Sequence, residues 1–402
     1  MNYIDATYLL TADKPFNIEK KAEEIAVNSL VGNFETYPLY LKEKLEKYKG
    51  RIVDFYDFKD SDSKKFKAVI KVGYPVILFN HDIPSILTII FGKLSLERNI
   101  KLIDLDFHPA FLDHFQGPGY GIDGVRNLLG IHHEPLLMST FQTCFGLNTE
   151  EFAEEFYKQA VGGVDFVKDD EAFFDDSLAP FEKRIESCVK KSEEAEKITG
   201  RKTLYVANLT GHVDEMIEKA KRGTEAGCKA FLINVLPYGF DILQRLSEEV
   251  DAVFVAYPSF SGAVFQSETI GIEASILLGK LMRIAGADLV LFPSPYGNLS
   301  LTHHKIMEIT ESLKENLENI KPSFPVPSEG INPSLVPKIF KDFGTNVVIN
   351  AGHSVHLHPM GSTAGAKAFR DIIDCTVSGV LVEECAAASE ELKVALEKWK
   401  NK

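Results

Sequence analysis

The chain has 402 residues, of which 45% are hydrophobic and 25% charged, and its formal net charge is −14. These proportions are ordinary for a globular protein, and the length suits one large domain plus a smaller one. An acidic chain without a basic stripe is a poor match for nucleic acid or an anionic membrane, and no apolar run approaches the roughly 18 residues that a membrane-spanning helix needs.

The opening residues, MNYIDATYLLTADK, read as a first strand over 3–11 rather than a signal peptide. An amphipathic helix follows over 16–30, with Ile18, Ala22, Ile25 and Ala26 at helical spacing. Strands are predicted at 51–58 and 67–74, the second with Ala68, Ile70, Val72 and Tyr74 on one face. An apolar helix at 83–96 and a strand at 101–107 complete a βαββαβ order. That order predicts a ferredoxin-like α+β domain over residues 1–120. Gly117-Pro118-Gly119-Tyr120-Gly121 reads as a linker, leading into a connecting helix and turn at 122–134.

From Pro135 short apolar strands alternate with helical patterns. The strands are predicted at 136–141, 164–167, 204–208, 230–235, 252–256, 288–292, 324–327 and 347–350. The clearest helices fall at 150–160, 213–226, 272–285, 304–320 and 364–375, and a last amphipathic helix at 383–400. Eight βα units over about 250 residues predict a (β/α)8 TIM barrel spanning 121–402. Five scattered cysteines, Cys144, Cys188, Cys228, Cys375 and Cys385, lack CxxC spacing and read as reduced thiols of a cytoplasmic protein.

Barrel chemistry lies at the C-terminal ends of the strands. That rule selects Gln142, Lys168, Asp170, Glu171, Asn208, Asn234, Tyr257, Ser294, Ser328, Gly330, Asn350, Gly352 and His353. The sharpest feature is the run Gly162-Gly163-Val164-Asp165-Phe166-Val167-Lys168-Asp169-Asp170-Glu171. Three ionisable groups at the end of an apolar strand are costly to desolvate, and a divalent cation would neutralise them. Asp170 and Glu171 offer the oxygen ligands that Mg²⁺ prefers. An ammonium repels a metal, but a neutral lysine amine reacts with CO2 to give a carbamate. As N6-carboxylysine, Lys168 would become the third ligand. The plainer alternative pairs Lys168 with Asp170 or Glu171 on a solvated loop.

Asn208 and Asn234 either orient substrate oxygens and waters or satisfy strand-end backbone groups. Ser328, Gly330 and Gly352, at the ends of the seventh and eighth strands, predict a phosphate-binding corner. His356 and His358 read as loop histidines packed near the barrel mouth. His353 stays open between that role and a metal or phosphate contact. His132, His133, His303 and His304 are expected to be exposed. Ser294-Pro295-Tyr296-Gly297 is expected to form a flexible loop over the substrate.

Segments such as ATYLLTAD, TIIFGKLSL, GIDGVRNLLG, GGVDFVKDDE, INVLPYGFDILQ and LLGKLMRIAGADLVLFPSPYG extend the pattern over essentially the whole chain. Through them it resembles the RuBisCO large-chain superfamily. The resemblance is strongest to the type IV RuBisCO-like proteins of bacterial methionine salvage, the 2,3-diketo-5-methylthiopentyl-1-phosphate enolases. It implies Mg²⁺ held by carbamylated Lys168, Asp170 and Glu171, and Lys93 of the FGKLSL segment as general base. It also implies a phosphorylated diketone as substrate and a homodimer with shared active sites, in which the N-terminal domain of one subunit covers the barrel mouth of the other. Read by itself, Lys93 would be a surface helix lysine. Carboxylating RuBisCO carries a KPK-type strand end and a lysine after the sixth strand, and neither stands here in Ser139-Thr140-Phe141-Gln142 or in Ser294 to Asn298.

Several positions depart from the enolase pattern. Gln142 replaces a lysine, Tyr257 and Asn332 each replace a histidine, and His353 and Ser354 replace two phosphate-loop glycines. These departures motivate an alternative: a divergent isomerase or decarboxylase acting through an enolate on another sugar phosphate or sugar acid. A catalytically silent binding protein is a third reading, opposed by the intact KDDE run and Lys93. The expected substrate-binding set is Asn208, Tyr257, Ser328, Gly330, Gly352, His353 and Ser354.

Overall fold

The computed structural model describes residues 2–59, 65–141, 145–174, 177–297 and 301–400. Along its first strand, Tyr3–Ala12, the side chains of Ile4, Ala6, Tyr8 and Leu10 are buried. This period of two turns one face of the sheet onto Ala22, Ile25 and Ala26 of one helical segment and Ile83, Ile86 and Ile90 of another. Strand Ile100–Asp106 lies beside Tyr3–Ala12, followed by Phe66–Pro75 and Arg51–Lys59, all antiparallel neighbours. The ferredoxin-like order is therefore present. The two helices are less regular than their periodicity suggests, because each contains a π-helical stretch, Glu24–Asn28 and Thr88–Gly92. Near the second stretch the buried Tyr8 hydroxyl donates to the Ile90 carbonyl at 2.8 Å and lies 2.7 Å from the Tyr74 hydroxyl.

Eight parallel strands follow: Leu136–Thr140, Phe166–Lys168, Leu204–Asn208, Ala230–Asn234, Val253–Tyr257, Leu289–Pro293, Phe324–Ser328 and Val348–Gly352. They neighbour one another in chain order, and the eighth pairs with the first. Between the seventh and eighth, Asn350 Nδ2 donates to Ser328 Oγ at 3.1 Å. The barrel interior is filled by Met138, Phe166, Val206, Leu232, Val255, Leu291, Val326 and Val348. Helix Gly121–Leu129 closes its N-terminal end with Ile122, Val125 and Leu129. Buried Asp288 fixes this plug, accepting from the N–H groups of Tyr120 and Gly121 at 2.8 and 2.7 Å and from Phe254 N–H at 2.8 Å.

The N-terminal sheet does not end with its own four strands. Gly271–Ile272, from the segment after the fifth barrel strand, pairs in parallel with Lys101 and Leu102. Lys101 is buried at this seam; its amine pairs with Glu273 at 2.9 Å and donates to the Ser267 carbonyl at 2.8 Å. Gln244, on the helix after the fourth strand, donates to the His81 carbonyl at 3.0 Å. The smaller sheet thus rests on the flank of its own barrel.

Two expectations about the C-terminal region need correction. The helix predicted over 383–400 is two helices, Val382–Ala388 and Glu390–Trp399. They are broken at Ser389, whose side chain caps the second by accepting from Leu392 N–H. Cys375 and Cys385, read as reduced thiols, form a disulfide with Cα atoms 6.3 Å apart. They are ten residues apart. Helix Ser362–Ser378 stops at left-handed Gly379 and the next helix folds back, so the two side chains meet without any CxxC spacing. Cys188 and Cys228 are free and buried, and Cys144 lies outside the described residues. Among the described residues no helix is long and apolar enough to cross a membrane.

Denatured without reductant and alkylated, the chain is expected to carry two fewer labels than after reduction, the protected pair mapping to Cys375 and Cys385. Equal labelling would restore the reading as thiols.

Candidate active site

The second barrel strand carries Lys168 as its last residue, paired in register with Thr140 and Val206 of its neighbours. The residue is 1% exposed. The amine donates to the Asp169 carbonyl at 3.0 Å, lies 3.4 Å from Glu171 Oε2 and sits 5.2 Å from the centre of the Tyr257 ring. Lysine and glutamate do pair, as the plainer reading had it, but under cover rather than on a solvated loop. Burial lowers the Lys168 pKa and outweighs the upward pull of Glu171 and Asp170. Burial also pulls Glu171 upward, yet Lys168 and the Tyr257 hydrogen bond win and hold its carboxyl below the ordinary value.

Glu171 is held from three successive strand ends. Asn208 Nδ2 and Asn234 Nδ2 each donate to its carbonyl at 3.1 Å, and the Tyr257 hydroxyl donates to Oε1 at 2.6 Å. Burial and Glu171 push the Tyr257 phenol well up, which keeps it a donor. Both amides thus satisfy backbone groups, Asn234 at Glu171 and Asn208 at Glu171 and also at the Phe173 carbonyl, 2.9 Å away. Asn234 Oδ1 in turn accepts from Ser259 Oγ at 2.6 Å.

Sequence reasoning passed over Asp169. It is fully buried and accepts from Tyr205 Oη at 2.7 Å, Asn208 N–H at 2.9 Å and Arg184 Nη2 at 3.3 Å. Burial pushes its carboxyl up against the pull of Arg184. Asp169 points away from the mouth and anchors the loop whose neighbours, Asp170 and Glu171, face it. The doubled aspartate of KDDE, together with the buried arginine of FEKRI, was the available signal.

One cavity of about 310 Å³ at the C-terminal end of the barrel is lined by Lys168, Asp170, Glu171, Tyr257, Ser328, Gly330, Gly352, His353 and Ser354. Nine of the expected residues therefore converge, with Asn208 just behind them. A larger cavity of about 710 Å³ adjoins it and shares Tyr257, Ser328 and Glu329. The smaller one holds the ionisable cluster.

At the phosphate corner, some expected donors are already engaged. Ser328 Oγ donates to the Val326 carbonyl at 3.1 Å, and Ser354 Oγ to the Ile331 carbonyl at 2.6 Å. Gly330 has φ +69°, and a Cβ there would fall 2.7 Å from Gly297 Cα, so loop packing alone requires a glycine. Gly352 faces open space. His353 is exposed at the rim. His356 donates to the Thr140 carbonyl and His358 to the Glu391 carbonyl, both at 2.9 Å, which is the packing role expected of them.

The loop after the sixth strand was expected to be flexible, and its described part is tied down. Ser294 Oγ donates to the Glu329 carbonyl and Tyr296 Oη to Asp342, both at 2.6 Å. Lys93 is exposed directly after the π-helical stretch Thr88–Gly92 and lines neither cavity of its own chain. Gln142 lies outside the described residues.

Carboxylate oxygens suit Mg²⁺. Among the described residues, however, no three His, Cys, Asp or Glu side chains gather to hold a metal. Asp170 and Glu171 alone fall short, and the set fits Mg²⁺ once Lys168 carries a carboxylate. That conversion needs a neutral amine, which burial favours. Asn208 Oδ1, buried with no partner among the described residues, leaves an acceptor beside Glu171 that a hydrated ion would satisfy.

Comparison with known proteins agrees with this geometry. The family described as ribulose bisphosphate carboxylase large chain, catalytic domain, matches residues 121–399, and its N-terminal domain matches residues 3–111. The 2,3-diketo-5-methylthiopentyl-1-phosphate enolase of Geobacillus thermodenitrificans is 42% identical over 408 residues, covering 99% of this chain and 98% of that one. The crystal structure of a rubisco-like protein (MtnW) from Alicyclobacillus acidocaldarius superposes with a TM-score of 0.94 at 40% identity, covering 99% of this chain and 100% of the other. A dimeric archaeal Rubisco from Hyperthermus butylicus superposes with a TM-score of 0.88 at 30% identity, covering 99% and 96%. The chain belongs to the ribulose bisphosphate carboxylase large-chain family.

Proposed function

We propose that the chain is a 2,3-diketo-5-methylthiopentyl-1-phosphate enolase, which removes a proton from the carbon beside a carbonyl and returns the carbonyl oxygen as an enol hydroxyl. The observation that carries this reading is the gathering of Lys168, Asp170 and Glu171 in one cavity of a chain 42% identical to a protein of that name. The reaction is an isomerisation, without net oxidation. It needs a base, a counter-charge for the enolate oxygen and a grip on the phosphate.

Lys168 as its carbamate, Asp170 and Glu171 would hold Mg²⁺. Bound there, the ion would supply the positive charge on which enolate formation depends. Ser328, Gly330, Gly352, His353 and Ser354 form the phosphate corner in this reading. Because the two serine protons are spent on carbonyls, the His353 imidazole is the side chain left to donate. Tyr257 and Asn208 complete the expected set, and both touch Glu171.

Lys93 is assigned as the base, acting across a homodimer in the active site of the partner subunit. Its exposure and its absence from both cavities of its own chain support that assignment. So does the edge strand Arg51–Lys59, which exposes Ile52, Val53, Phe55, Tyr56 and Phe58 to solvent. We place the domain boundary near residue 120 and the enzyme in the cytoplasm, where a phosphorylated small molecule is retained. A carboxylase is disfavoured, since neither the first nor the sixth strand end supplies a lysine in Ser139 to Gln142 or Ser294 to Asn298.

Four outcomes are expected. Lys168→Ala should abolish both enol formation and bicarbonate-dependent Mg²⁺ binding, measured by enol absorbance and titration calorimetry; retention of either by the variant contradicts the carbamate. Carbamylation consumes the neutral amine, so activation by bicarbonate should rise with pH. Because burial lowers the Lys168 pKa, the plateau should come below the ordinary lysine value of about 10.4. Lys93→Ala should lower kcat by about a hundredfold or more with Mg²⁺ binding intact. Co-expressed Lys93→Ala and Lys168→Ala subunits should regain activity that neither has alone, and a failure to complement would place both groups within one subunit's site.

A further inference from the structure

Tyr257 was expected to touch substrate, but its hydroxyl is already engaged. It reaches across from the end of the fifth strand to the loop after the second and donates to Glu171 Oε1 at 2.6 Å. The other carboxylate oxygen, Oε2, faces Lys168 Nζ at 3.4 Å. The main chain of Glu171 is fixed separately, by Asn208 and Asn234. Main-chain anchoring does not set the rotation of a glutamate side chain; the phenol does. With Oε1 held, Oε2 is turned toward the position that a Lys168 carbamate would occupy. The ring supports the same geometry from the other side, since Lys168 Nζ lies 5.2 Å from its centre.

We propose that Tyr257 is a positioning residue of the metal centre: it orients Glu171 as a ligand and takes no direct part in binding substrate. The inference rests on the Mg²⁺ reading above. Groups that hydrogen-bond to a metal ligand fix its orientation, and their loss typically lowers metal affinity by about 10–100-fold. Tyr257 also lines both cavities.

The test uses the full chain and its Tyr257→Phe variant, which keeps the ring and removes the donor. The Glu171 side chain is 30% exposed, so water can replace the lost donor and the fold is not at stake; the unfolding midpoint of the metal-free protein checks this. Mg²⁺ titration calorimetry in saturating bicarbonate, repeated with Mn²⁺ and electron paramagnetic resonance, is expected to show affinity reduced about tenfold in the variant. Turnover at limiting Mg²⁺ should fall and climb again as Mg²⁺ is raised, a split that a generally loosened fold would not give. The same substitution in a Glu171→Gln background should change Mg²⁺ affinity no further. Affinity within twofold of the parent would overturn the proposal while leaving the Mg²⁺ reading standing. If the parent chain itself binds no Mg²⁺ with bicarbonate present, both fall together.

Discussion

A lysine only 1% exposed at the mouth of a barrel is the constraint from which much of the surrounding structure follows. Removing an ammonium from water is costly unless it is paired or gives up its proton. Here the partial remedies are visible: a carbonyl at 3.0 Å, a carboxylate at 3.4 Å and the face of a phenol. None amounts to the full hydration that the amine has lost. The preceding glycines belong to the same arrangement. A Cβ on Gly162 would fall 2.4 Å from Ala366 Cβ and 2.6 Å from the Thr363 carbonyl, so helix Ser362–Ser378 can press against the base of the second strand only because no side chain intervenes.

The loop that follows splits its charges between two directions. Asp169 turns inward to Arg184 and Tyr205, whereas Asp170 and Glu171 line the cavity. The inward ion pair is far from water and is useful chiefly as an anchor, since a buried pair contributes little net stability but is strongly destabilising when broken. Adjacent carboxylates in one tetrapeptide thus face opposite ways, one into the fold and two into the cavity.

The architecture was largely legible. All eight barrel strands begin within two residues of where apolar runs suggested, because strands buried in a parallel sheet read as short hydrophobic blocks. The cluster Lys168, Asp170, Glu171 was legible from charge at a strand end. What could not be read were partnerships between residues distant in the chain. Tyr257 and Glu171 are separated by 86 positions, and nothing in either local sequence announces the hydrogen bond. Gly330 looked like a phosphate-loop glycine and is already required by its neighbour Gly297; Ser354, expected in the substrate-binding set in place of a loop glycine, gives its proton to a carbonyl. The disulfide escaped because it depends on a helical reversal at Gly379, and periodicity reveals helices but not the angle between them.

Gly271–Ile272 has a consequence for how the molecule can be divided. Covalently, the chain passes from its smaller sheet to its barrel at a glycine-rich stretch that looks like a natural place to cut. In hydrogen bonding, the barrel region supplies the last strand of that sheet and the acid and carbonyls that satisfy buried Lys101. An isolated barrel would expose a bare strand edge, and an isolated N-terminal sheet would carry an uncompensated lysine at its rim. The two parts are joined by a seam of main-chain and ionic contacts, and any residue the smaller sheet offers to a second subunit is aimed by the barrel on which that sheet rests.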